Sequence, residues 1–119
     1  MRAWVHAGVA ALLGCLFVLA MEIPGLDSFT IVVVSDSGQL LAVSAAAVLC
    51  WLASRTRGSH TRAWRALAVG VGAWAAGQTV WTYYEVVAGT EVPFPSLADL
   101  GFLTFPIVSG FGLLTWLGT

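Results

Sequence analysis

The chain has 119 residues, with five arginines, no lysine and six acidic residues, for a net charge of −1. Apolar residues make up 59% and charged residues 9%, against roughly 25% charged in an average soluble domain. So few charges cannot cover the large relative surface of a small soluble domain, and the charge balance offers no handle to nucleic acid; an outer surface that faces lipid fits instead.

The first apolar segment covers about 4–21. A hydrocarbon layer takes about 20 helical residues, so this segment is near the short limit and draws on Trp4 as an interfacial anchor. Arg2, the apolar run and Val18-Leu19-Ala20 also fit a secretory signal cleaved after Ala20. The single arginine, Trp4 and His6 weigh against that reading.

The link 22–36 holds the turn signals Pro24-Gly25 and Asp27-Ser28. The run 29–34 is apolar and β-branched but too short to span. It lies at the interface or extends the second helix, which the pattern places at 37–53 with Ser35 or Asp36 as N-cap. Cys15 and Cys50 fall inside apolar runs and read as small buried hydrophobes rather than a disulfide framework. His6 and His60 stand apart from each other and from the cysteines, so no metal-ligand spacing is present.

Arg55, Arg57, Arg62 and Arg65 crowd the link 54–63 and its flank. Such a cluster could touch RNA or anionic lipid, but between two apolar segments it more simply marks the cytoplasmic side. With Arg2 also inside, Glu22, Asp27, Asp36 and Glu91 fall outside, and both chain termini are cytoplasmic. The fold expected is therefore all-α: residues 1–119 as one membrane domain, a four-helix transmembrane bundle in the plasma membrane.

The third segment, 64–87, is the most informative. At about 100° per residue, Trp74, Gln78, Trp81 and Glu85 share one face. Ala66, Gly70, Ala73 and Gly77 form a neighbouring small-residue stripe that lets another helix approach closely. Ala68, Val71, Ala75, Thr79 and Val86 lie on the far side, suited to lipid or loose packing. An acid at membrane depth is a functional candidate, which makes Glu85 a ligand or signal residue. Its bland alternative is a hydrated group in the headgroup zone. Gln78 reads either as a ligand contact or as an interhelical hydrogen-bonding residue. Trp81 and Tyr84, on or beside the Glu85 face, can wall a shallow external pocket for a small cationic or polar ligand.

The loop 88–95 is stiffened by Pro93 and Pro95. Ser96 then caps a fourth helix at 98–117, and Asp99, three positions on, completes an acidic capping box. That structural role competes with reading Asp99 as a proton or ligand site. Pro106 falls inside this helix, where membrane helices tolerate it.

Taken jointly, Trp74, Gly77-Gln78, Trp81, Tyr84-Glu85, Gly89, Pro93-Phe94-Pro95-Ser96, Ala98-Asp99, Phe102-Leu103 and Pro106 resemble the N-terminal membrane region of bacterial cyclic-di-GMP signalling proteins. These are the GGDEF diguanylate cyclases and EAL phosphodiesterases, especially those of actinobacteria. The resemblance covers the chain from about Asp36 onward and rests on the joint spacing. It implies a signal-input module that feeds cytoplasmic catalytic domains, here a truncated gene product or a stand-alone member. Related regions also precede histidine kinases. The chain has no Gly-Gly-Asp/Glu-Glu-Phe loop and no Glu-Ala-Leu signature, so catalysis is not expected of it, and no cofactor or metal is implied. Its expected partners are the lipid bilayer and either signalling domains or a second copy of itself. A small transporter or channel subunit is the alternative, although no repeat is evident and the acids cluster at one surface rather than at midplane.

Overall fold

A computed structural model describes residues 2–56 and 58–118. Arg57, counted above in the basic cluster, lies outside the described residues. Four helices follow one another: α1 (Arg2–Met21), α2 (Ser28–Thr56), α3 (Thr61–Thr82) and α4 (Leu97–Leu117). A 3-10 turn, Gly58–His60, joins α2 to α3, and a π turn, Tyr83–Val87, extends α3. No strand occurs among the described residues. Three helices, α1, α2 and α4, are long and apolar enough to cross a membrane.

α2 starts nine residues before the predicted 37, and Ser35 and Asp36 lie inside it rather than at its cap. The chain turns at Pro24-Gly25, with Gly25 at φ +90°, a conformation that glycine adopts without steric cost. Asp27 then takes the capping role, its Oδ1 accepting from the Thr30 amide at 2.8 Å. Hydrogen bonds from the Thr30 side chain and amide hold the Asp27 carboxyl below the ordinary carboxylate range. The β-branched run continues the helix with Ile31, Val32 and Val33 half-buried, while Phe29 and Val34 are exposed.

Packing is mainly between chain neighbours, with α3 against both α2 and α4 and α1 touching only α2 to any extent. The helices therefore stand in an open row of 50 × 38 × 18 Å, not in a closed bundle. α3 is the middle of the packed part. A helix covered by protein on two sides needs less lipophilicity, which explains why α3 carries the small and polar residues. The far side of α3 is correspondingly mixed: Ala68 is buried, Val71, Ala75 and Val86 are half-buried, and Thr79 is exposed. Ala68 and Val71 border hollows shared with α2, at Val48 and Val43, so this part of the far side packs loosely against α2.

The α3–α4 seam uses the predicted stripe. A Cβ on Gly77 would stand 2.8 Å from the Ala98 carbonyl oxygen and 3.0 Å from the Phe102 ring. One on Gly101 would stand 2.8 Å from the Gly77 nitrogen and would strike the Ala73 carbonyl. Lower down, Gly70 meets Ser109, and Gly112 meets Ala66. The two backbones approach this closely because at least one side of each of these contacts is a glycine. By contrast, α1 is exposed along almost its whole length, Cys15 included, and meets α2 where the Phe17 ring rests on Gly38.

Candidate functional site

The helix order separates charge by sign. Glu22, Asp27, Asp36, Glu85, Glu91 and Asp99 belong to the end formed by the α1–α2 and α3–α4 links. Arg2, Arg55, Arg62 and Arg65 belong to the other end. About 20 helical residues, one hydrocarbon thickness, separate Arg55 from Asp36 along α2 and Arg65 from Glu85 along α3.

At the acidic end, α2 and the π turn bring Asp36 and Glu85 together, close enough for their carboxyls to interact. Asp36 is 4% exposed. Its Oδ2 is fully enclosed and has no hydrogen-bond partner among the described residues. Buried polar atoms without partners are rare in folded proteins. Two adjacent carboxylates at the edge of a low-dielectric layer cost free energy unless a proton or a cation joins them. Glu85 is half-buried and also borders an open groove of about 300 Å³. The first turns of α2 (Ser28, Phe29, Val32) and Gly89-Thr90-Glu91 form the rest of that groove. The pair thus has an enclosed side at Asp36 and an accessible side at Glu85. π turns inside helices are frequently found at functional sites, and this one carries Glu85.

The other sequence-predicted residues are distributed around this pair. Gln78 is buried at 4% exposure, and its Nε2 donates to Thr82 Oγ1 at 3.4 Å, one turn along the same helix. Trp81 turns toward α4, its ring 6.2 Å from that of Phe102. Trp74 does the same, at 4.7 Å from Phe102. Tyr84 packs edge-on against Tyr83 at 5.7 Å, and its carbonyl accepts from the Thr90 amide at 3.0 Å. Neither Trp81 nor Tyr84 borders the groove at Glu85, so the aromatic walls expected there are replaced by Phe29 and Val32. Along the face shared by Trp74, Gln78, Trp81 and Glu85, Gln78 is buried, Trp81 and Glu85 are half-buried, and Trp74 is exposed beside a hollow that it shares with Val43 and Phe105.

Pro93 and Pro95 sit in the exposed loop, away from the groove. Ser96 and Asp99 form the capping box: Ser96 Oγ accepts from the Ala98 amide at 3.2 Å, and Asp99 Oδ2 accepts from the Ser96 amide at 2.8 Å. Asp99 is therefore occupied in starting α4. Asp36 is the residue that the sequence pattern did not offer as a site. Its signal was present as the one charge in the apolar stretch 29–53, once that stretch is read as a single helix.

Compared with protein-family models, with curated proteins and with solved structures, the chain finds no match.

Proposed function

We propose that this chain is a membrane-embedded signal-input module, of the kind that precedes diguanylate cyclase and phosphodiesterase domains. In this reading four helices cross the plasma membrane, the arginine-rich end and both termini are cytoplasmic, and the acidic end is outside. The observation that carries it is the Asp36–Glu85 carboxyl pair. An ionisable group buried at membrane depth lowers stability and is retained where it serves function. Because the pair spans α2 and α3, a change in its charge alters how two helices sit together. That is what an input module must transmit across the bilayer. The segregation of charge supports the orientation, and the resemblance from Trp74 to Pro106 supports the signalling role.

The test is a fusion of residues 1–119 to a cytoplasmic cyclase. Output should change when the outside medium is acidified or its cations are exchanged. Glu85→Gln keeps shape and hydrogen-bonding capacity but deletes charge, so the variant should express normally and hold one output level. A Glu85→Gln variant that still responds like the parent would contradict the proposal. So would one that merely fails to fold while Asp36→Asn remains fully responsive.

A further inference from the structure

The opposite end of the row holds a larger cavity, of about 650 Å³, between the start of α3 and the end of α4. That size falls within the roughly 300–1,000 Å³ of small-ligand clefts. His60, Thr61, Arg62, Arg65 and Thr115 line it. All six acids lie at the other end of the row, so neither arginine has a carboxylate partner among the described residues. The N-cap residue of α3, His60, makes no side-chain cap hydrogen bond, and the amide groups of the first turn add partial positive charge at the same place. The Trp116 ring stacks on His60 at 4.5 Å and meets Trp64 edge-on at 5.1 Å. Tryptophans of this kind settle at the level of lipid headgroups. Beside the cavity, Leu114 and Leu117 are exposed, at 68% and 83%. Cationic groups in the cavity, tryptophans stacked behind its His60 and exposed leucines on the last turn of α4 together match an amphiphile, not a soluble anion.

We propose that this cavity binds the phosphate headgroup of an anionic phospholipid, with Arg62 and Arg65 on the phosphate and the acyl chains along Leu114 and Leu117. Bound there, the lipid ties the start of α3 to the end of α4. Basic recesses between transmembrane helices on the cytoplasmic side are suited to such headgroups.

The test uses the full chain in nanodiscs of equal parts phosphatidylglycerol and phosphatidylcholine. Lipid retained after extraction is read by native mass spectrometry. The parent protein should keep phosphatidylglycerol in preference to phosphatidylcholine. Arg62→Gln with Arg65→Gln should lower that preference about 30-fold, equal to about 2 kcal/mol at 1.4 kcal/mol per tenfold. Arg55→Gln removes the same kind of charge outside the cavity and should leave the preference unchanged. Arg62→Lys with Arg65→Lys keeps the charge and should retain most of it, which guards against a misfolded double glutamine variant. Equal retention of both lipids by the parent would overturn the proposal, as would an equal loss in Arg55→Gln. Displacement of phosphatidylglycerol by inorganic phosphate at moderate excess would show a soluble-anion site and overturn the lipid assignment.

Discussion

The acidic and basic ends of this helical row treat charge in opposite ways. At the acidic end, Asp36 is enclosed, faces a second carboxyl and leaves one oxygen without a partner. At the basic end, Arg55, Arg62 and Arg65 are exposed, and their charges can be met by water or lipid phosphate. The difference teaches that sign and burial carry separate information. The sign of the exposed charges orients the chain in a membrane. The burial of a charge marks the place where stability has been given up.

The α3–α4 seam is the closest packing in the row, and breaking it should produce the largest effect. Gly77→Leu forces a branched side chain against the Ala98 carbonyl and should cost at least about 1–3 kcal/mol. Val69→Leu, on the exposed side of α3, should stay within about 0.5 kcal/mol. Thermal unfolding in detergent checks this, and equal stabilities would show that the seam is not as close as described.

Next in size is the contrast between the ends themselves. Asp36→Leu removes an unpartnered buried oxygen and a like-charge neighbour, so it should leave stability unchanged or raise it by about 1 kcal/mol. The same variant should silence the cyclase fusion. Arg65→Gln should leave stability within about 0.5 kcal/mol. A marked loss of stability in Asp36→Leu would make that carboxyl a structural pin and erase the contrast.

The smallest effect belongs to Asp27, which is acidic but exposed. A carboxyl held below its unfolded value of 3.8 contributes stability above that pH and loses it as the pH falls through the folded value. Asp27→Asn keeps a capping oxygen and removes the titration. The variant should fall slightly short of the parent at neutral pH, and the gap should close as the pH falls below 3.8 and through the lowered folded value. Unfolding temperatures measured from neutral to acid pH would show this. An unchanged difference between the two proteins across that range would remove the charge contribution at this cap.

Much of the row was legible where the information is local. The Ser96–Asp99 box and the stripe Gly70, Ala73 and Gly77 depend on fixed spacings, and the structure places them at the start of α4 and along the seam. The beginning of α2 was not legible, because Ser35 and Asp36 interrupt hydrophobicity without interrupting the helix. Reading Asp36 as a cap explained it locally and so hid it as a site. Periodicity also tells which face of α3 is packed but not how many helices cover it, so the open row and the partnership of Asp36 with Glu85 emerge only from tertiary contacts.

The orientation of the two ends is the central claim, and cysteine labelling tests it most directly. With Cys15 and Cys50 replaced by alanine, single cysteines are placed at Thr90 and at Thr56, both exposed in loops or helix ends at opposite ends of the row. Intact cells are treated with a membrane-impermeant maleimide. Thr90→Cys should label at once, and Thr56→Cys only after the cells are opened. Labelling of Thr56→Cys in intact cells with protection of Thr90→Cys would place the arginines outside and contradict the account.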